Sequence, residues 1–213
     1  ETPWGLPTPV GGYAMAAMRH MHEFGTTSEQ LAEVAVAARA WAGLNAAATH
    51  REPLSVSDVL ASPMISDPLP LLDSCLVTDG AGAIVMTTAE HARALGVQPI
   101  YVRGFGESHT HWSIANMPDL AWHTAAERSG RDALRMAGVG LNAIDLVELY
   151  DSFTITVLMT LEALGFCGRG ESGRFVAESR IAPGGSFPMN TNGGGLSYAH
   201  PGMYGIFLLI EAV

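Results

Sequence analysis

Residues 190–205, NTNGGGLSYAHPGMYG, constrain this chain more than any other stretch. Three consecutive glycines lack the Cβ that closes most of backbone space, so the chain there can turn sharply or approach a ligand closely. Pro201 fixes its own φ and holds His200 in extended conformations. The imidazole is therefore presented from a held backbone. Gly202 is expected to open a final helix, roughly Gly202 to Ala212, whose first amides and positive dipole end would lie beside that imidazole. Donors converging in this way suit a developing oxyanion. On spacing alone the stretch also reads as a strand-to-helix turn with a histidine that caps or packs.

The rest of the chain bounds what such a turn can belong to. Of 213 residues, 48% are hydrophobic and 15% charged, which supports a sizeable core, in one large domain or two small ones, and argues against disorder. No apolar run approaches ~18 residues, so no membrane-spanning helix is expected. The N-terminal ETPWGLPTPVGG lacks the basic and apolar regions of a signal peptide. Net charge is −10 and all 11 basic residues are arginine, which disfavours a nucleic-acid surface. A few arginines can still hold an anionic small substrate locally. Cys75 and Cys167 show no metal-ligand spacing, and a reduced, cytoplasmic setting is expected.

Periodicity and punctuation give an α/β order. After an extended lead-in over residues 1–12, a helix is expected from Tyr13 to Phe24, stopped by Gly25. Thr26 and Glu29 read as a capping box for a second helix carrying Leu31, Val34, Ala35, Ala38 and Trp41. Four prolines between residues 45 and 73 predict loop with short helical turns. Asp79–Ala83 reads as a turn feeding a buried strand, Ile84–Met86. A short helix from Glu90 to Leu95 and a strand from Ile100 to Phe105 follow. Thr124–Ala137 and Phe153–Leu164 read as helices closed by Gly138 and Gly165, with a strand at Leu146–Tyr150 between them. Residues 168–186 read as glycine-rich loop.

The segment Glu148–Phe153, ELYDSF, sits where a strand ends and a helix begins, which is where α/β sheets tend to bind ligands. Tyr150 can donate to a carbonyl or exchange a proton there. Asp151 or Ser152 can equally serve as the N-cap of the next helix. His109 and His111 have possible metal spacing but no third ligand, and no metal is expected. His20 and His22 do not share a helical face and read as surface. Met15, Met18 and Met21 read as packing.

Taken together these motifs resemble the thiolase superfamily. NTNGGGLSYAHPGMYG resembles its Asn-x-Asn-Gly-Gly … Gly-His-Pro segment. LVELYDSFT resembles the segment that usually reads Asn-Glu-Ala-Phe. DPLPLLDSCLVTDGAGAIVMTT resembles the strand entry Asp-Gly-Ala-Ala-Ala. YAMAAMRHMHEFGTTSEQLAEVAVAARAWAGLNAAA is similar to the helical insertion of the lipid-transfer-protein, or sterol-carrier-protein, branch. The resemblance implies a layered α/β/α/β/α fold, here a partial chain lacking most of the first half and the extreme C-terminus. Its expected divisions are a helical insertion over 1–72, the end of the first half over 73–118 and the second half over 119–213.

It also implies roles. His200 matches the histidine that lines the oxyanion hole for the thioester. Tyr150 falls where most thiolases have the asparagine that holds a catalytic water, and Asp151 at the neighbouring glutamate. Asn192, Gly193, Gly194 and Gly195 are the implied substrate-binding turn. Tyr198 and Tyr204, which flank the His-Pro pair, are not thiolase residues, and neither cysteine fits a family cysteine motif. These departures resemble the members that act as aldolases on steroid side-chain acyl-CoA thioesters, with tyrosines as acid and base. The alternatives are a thiolase-type acyltransferase, which needs a cysteine nucleophile, and a non-catalytic acyl-CoA- or lipid-binding subunit. No cofactor is implied beyond the coenzyme A of the substrate. The implied partners are a second copy of the chain in a homodimer and a small OB-fold acyl-CoA-binding protein.

Overall fold

Helix α6 (Thr154–Leu164) explains the architecture best. Nine of its eleven residues are buried, so it presents apolar surface on every side and takes the centre of the molecule. The computed structural model, which describes residues 3, 5, 6 and 9–213, packs α1 (Val10–Phe24), α2 (Ser28–Leu44), α5 (Thr124–Ala137) and α7 (Ser172–Val176) against it. The core cluster draws Leu31 and Val34 from α2, Ile155, Leu158 and Leu161 from α6, and Val147 and Leu149 from the segment before it. Further elements are α3 (Val56–Ala61), α4 (Ala89–Ala94) and α8 (Gly205–Glu211). The lead-in expected over 1–12 lies partly outside the described residues, and α1 already begins at Val10.

Several expected ends are where the sequence put them. Gly25, Gly138 and Gly165 close α1, α5 and α6 in the left-handed conformation that a Cβ disfavours. The capping box of α2 is displaced by one residue: Thr27 accepts from the Gln30 amide, and the Gln30 side chain accepts from the Thr27 amide. Thr26 is unavailable because its hydroxyl is paired with His20 Nδ1 at 2.8 Å. His20 is therefore not a surface residue. It is fully buried, and its Nε2 lies 3.2 Å from Glu162, whose carboxylate also accepts from the Ser172 amide at 3.1 Å. Three helices, α1, α6 and α7, are thus pinned at one point. The loop expected over 168–186 contains α7.

The expected strands differ most. Among the described residues the sheet is the hairpin of β1 (Met64–Ser66) and β2 (Leu69–Pro70), with isolated bridges Ser74–Phe153 and Val147–Met189. Ile84–Met86 is not a buried strand: Val85 is 94% exposed. Residues 79–87 and 97–108 make no backbone pairing outside α4. An extended segment becomes a buried strand only when a neighbouring strand and a covering layer supply partners; here α8 lies against Gly82 and α5 against Gly104 and Gly106, but the described residues supply no neighbouring strand. Leu146–Tyr150 is better placed: Val147 exchanges hydrogen bonds with Pro188 and Asn190 at 3.2 and 3.1 Å. That pairing sets Tyr150 at the mouth of the glycine turn.

Candidate active site

The turn begins at Asn190, whose side chain imitates a strand. Its Oδ1 accepts the Leu149 amide at 2.7 Å and its Nδ2 donates to the Leu149 carbonyl at 2.9 Å. The residue takes φ +50, which asparagine tolerates better than most. Two residues later, Asn192 Oδ1 accepts the Gly194 amide at 2.8 Å and the Tyr204 hydroxyl at 2.7 Å. Gly194–Tyr198 then form one wide π-helical turn. Asp151, fully buried, accepts the Gly195 amide at 2.7 Å and the Leu196 amide at 3.2 Å.

The three glycines face three different neighbours. A Cβ on Gly193 would meet Ala42 of α2 at 2.6 Å, and one on Gly194 would meet Asp151 Oδ2 at 2.0 Å. On Gly195 it would meet His200 Cδ2 at 2.9 Å. The last two contacts explain the permissive backbone: it lets a carboxylate and an imidazole close on the same turn.

His200 is held as its position before Pro201 suggested. Its amide donates to Thr78 Oγ1 at 2.9 Å, and its ring meets Tyr150, with Tyr150 Oη 2.8 Å from His200 Nε2. The same phenol donates to the Gly202 carbonyl at 3.0 Å. A phenol has one proton, so both contacts are satisfied together when Nε2 carries a hydrogen and donates to the phenol oxygen. Burial pushes the His200 imidazole below its ordinary range, so it is neutral at pH 7. Burial, with the Cys75 thiol nearby, raises the Tyr150 phenol. The pair is therefore neutral phenol and neutral imidazole, both half-buried and in direct contact.

The other tyrosines stand differently. Tyr204 is fully buried, its ring stacked between His200 at 6.2 Å and Phe207 at 5.6 Å, and burial holds its phenol far above its ordinary value. Tyr198 turns toward Phe207 and lines a pocket of about 380 Å³ whose walls include Trp41 and Asn192 but neither Tyr150 nor His200. The structure thus brings Tyr150, His200, Tyr204, Asp151, Asn192 and the glycines together and sets Tyr198 apart. Gly202 does not open the last helix. It takes φ +87, outside helical space, and α8 begins at Gly205, so the expected amides are replaced by a carbonyl that accepts from Tyr150.

Burial also raises both thiols, Cys75 to about 11 and Cys167 to about 12. Neither supplies a thiolate at neutral pH. His109 is exposed and its charged neighbour is Glu107 at 3.6 Å. Sequence reasoning missed Asn190 and Thr78 as site residues. The Asn-x-Asn spacing was a signal for Asn190, since residues two apart on extended chain share a face. For Thr78, 122 residues from His200 in sequence, there was none.

Comparison with known proteins agrees with this geometry. The family model for the thiolase C-terminal domain-like fold matches residues 106–213. The acetyl-CoA acetyltransferase of Methanothermobacter thermautotrophicus is 37% identical over 94% of this chain and 53% of its own length. The 17-hydroxy-3-oxo-4-pregnene-20-carboxyl-CoA lyase of Mycobacterium tuberculosis is 39% identical over 96% of this chain and 54% of its own. The solved Ltp2-ChsH2(DUF35) aldolase superposes with a TM-score of 0.90 at 33% identity, over 99% of this chain and 56% of that one. This chain spans about half the length of the curated relatives it matches. A shared backbone and identity of this extent place the chain in the thiolase superfamily, within its lipid-transfer-protein branch.

Proposed function

We propose that the protein cleaves a carbon–carbon bond in a β-hydroxyacyl-CoA by a retro-aldol reaction, on a thioester of the steroid side-chain type. The carrying observation is the 2.8 Å contact between Tyr150 Oη and His200 Nε2. In such a cleavage the β-hydroxyl proton leaves, the Cα–Cβ bond breaks and Cβ becomes a ketone. The electron pair moves onto Cα as a thioester enolate, which a proton converts to the shortened acyl-CoA. One proton is moved from oxygen to carbon, with no net change in the enzyme. A phenol touching a neutral imidazole can carry it when the imidazole hydrogen is on Nδ1: Tyr150 turns its hydrogen from the Gly202 carbonyl to the bare His200 Nε2, takes the hydroxyl proton as its own passes to that nitrogen, and the resulting imidazolium steadies the enolate before the proton returns to Cα.

Asp151 and Asn192 act behind this pair by holding the turn, and Tyr204 packs His200 in place. The thiols, both raised by burial, take no part. The relatives named as lyase and aldolase favour this reading. The relative named acetyl-CoA acetyltransferase favours acyl transfer as the second reading, which requires a cysteine nucleophile other than Cys75 and Cys167. A protein of the DUF35 type is the proposed partner, following the pairing in the solved aldolase's name, and the chain pairs with a second copy of itself.

The test incubates the complete natural chain and any co-purifying partner with a β-hydroxyacyl-CoA bearing a steroid side chain. A second incubation supplies a β-ketoacyl-CoA with free CoA, and mass spectrometry identifies the products. A ketone and a shortened acyl-CoA are expected from the first. Tyr150→Phe should lower kcat by about 100-fold or more, the scale of a lost acid–base group. Turnover of the second substrate alone would make acyl transfer the function.

A further inference from the structure

Glu148 and Glu211 close on one hydroxyl from opposite sides. Glu148 lies in the extended segment two residues before Tyr150, and Glu211 ends α8. Thr191, at the entry to the glycine turn, stands between them. Its Oγ1 is 3.1 Å from Glu148 Oε1 and 2.5 Å from Glu211 Oε1, and its amide donates to the same Glu148 oxygen at 3.1 Å. A hydroxyl carries one proton, so it donates to one carboxylate only. The other contact is a hydrogen bond only when that carboxyl is protonated and donates to the hydroxyl oxygen. Two ionised carboxylates would leave two oxygens facing each other with no hydrogen between them. The three side chains therefore hold one proton beyond the threonine's own. Burial places it on Glu148, which is half-buried with an enclosed, unpartnered Oε2, whereas Glu211 is exposed. The chain of donors runs from Glu148 Oε1 to Thr191 Oγ1 to Glu211 Oε1. It ends on a charge, the arrangement in which an O–H···O bond is shortest.

These bonds tie the far end of α8 to the turn. At the near end, Asn192 accepts the Tyr204 hydroxyl at 2.7 Å and donates to the Phe207 carbonyl at 3.5 Å. Between the two ties runs the ring stack of Phe207, Tyr204 and His200. The titratable groups facing Glu148 are Glu211 and Tyr204 from α8 and Asp151 from its own segment, and the turn residues Asn190, Thr191 and Asn192 are neutral. No arginine or histidine nitrogen among the described residues lies within 4.0 Å of either glutamate, so only the shared proton offsets their repulsion. We propose that Glu148 is a positioning residue: through the proton it shares with Thr191 and Glu211 it clamps α8 to the glycine turn and fixes the ring stack that holds His200. Losing the proton sets two negative charges on one hydroxyl and frees the end of the helix. Burial, opposed by the Thr191 bonds and aided by the Glu211 and Asp151 charges, lifts the Glu148 carboxyl from 4.5 to about 7. The clamp is therefore closed in mild acid and is lost as pH rises through about 7. Its consequence for turnover rests on the catalytic reading above.

NMR of the complete natural chain, labelled at histidine, tests the clamp without turnover, and His200→Gln identifies the His200 signals. A stacked aromatic ring displaces the shifts of its neighbour's protons, so release of α8 moves them. In the native protein the His200 ring signals should show a step between about pH 6 and pH 8, above the imidazole's own titration, which burial lowers. Glu148→Gln keeps the shape and cannot ionise, and should abolish the step. Glu211→Gln changes only an exposed side chain and should shift the step to lower pH, because Thr191 can then donate to an ionised Glu148. For whichever test substrate turns over, kcat/KM of the native protein should fall by up to about tenfold across the same interval. That is the change in the protonated fraction of a group at about 7. In Glu148→Gln the value should stay level. The proposal is overturned if the native His200 signals show no step, or if the step persists unchanged in either variant. A step that kcat/KM ignores would overturn it as well. A step that the variants remove or shift, in a protein that turns over neither test substrate, would uphold the clamp and remove the catalytic reading instead.

Discussion

Asp151→Asn isolates the energetics of the turn. In the native protein burial raises the Asp151 carboxyl from 3.8 to about 6, although two backbone amides donate to it. The folded state therefore holds this proton more tightly than the unfolded chain does. The group's contribution to stability is greatest below its ordinary value of 3.8, falls as pH rises through the window to about 6, and is constant above it. The distance between those two values corresponds to on the order of 3 kcal/mol. Asparagine has no such titration. Its single oxygen can serve the Gly195 amide or the Leu196 amide but not both, which costs about 1–3 kcal/mol at any pH.

Urea unfolding of both proteins from about pH 4 to pH 8 gives the difference in their stabilities. That difference, native minus variant, should fall by on the order of 3 kcal/mol across the window. Asp73, raised by burial to about 7, titrates in the same direction but cancels because both proteins contain it; Glu148, also raised to about 7 chiefly by burial, cancels except for the small share that the Asp151 charge contributes. A flat difference would mean that the turn amides compensate the carboxylate fully, and the account of Asp151 as a carboxylate strained by burial would be refuted.

Glu162→Gln should show the opposite sign. Although burial opposes it, bonds from His20 and Ser172 hold that carboxyl below its ordinary value, so its stabilisation is present above the unfolded value and lost as acid protonates the folded one. Losing hydrogen bonds of this kind from a buried group costs about 1–3 kcal/mol, read by urea unfolding at neutral pH. Gly195→Ala should lower kcat, because its Cβ would press on His200 Cδ2 at 2.9 Å and on Asp151 Oδ1 at 3.0 Å; equal kcat in the variant would mean that His200 need not keep its place. The acid limb of the rate profile should have an apparent pKa below 6.5, since burial lowers His200, and a limb above that value would count against a neutral imidazole as proton acceptor.

The helices were legible because their evidence is local. Apolar spacing and a glycine stop mark Thr124–Ala137 and Gly138 without any knowledge of what packs on them. The turn was legible for the same reason, since Gly-Gly-Gly and His-Pro restrict backbone whatever surrounds them. His20 was misread because helical spacing alone cannot show that Glu162, 142 residues away, supplies a buried partner. Ile84–Met86 was misread because a strand is defined by its neighbours. Gly202 was misread because a glycine before a helix can either start it or turn away from it, and φ +87 decides for the second. Within the site, the sequence named Tyr150 and His200 but could not distinguish Tyr198 from Tyr204, whose opposite orientations depend on Phe207 and Asn192.

The unpaired segments have a consequence in time. Amides in residues 79–87 and 97–108 that lack backbone partners should exchange hydrogen for deuterium almost as fast as in an unfolded peptide, while those of α6 wait for global opening. The Leu76 and Thr78 amides, which donate to the Gly195 and His200 carbonyls, mark the frontier between the two regimes. A binding partner that covered the exposed segments would move that frontier outward along the chain. Its footprint could then be read residue by residue as a slowing of label uptake.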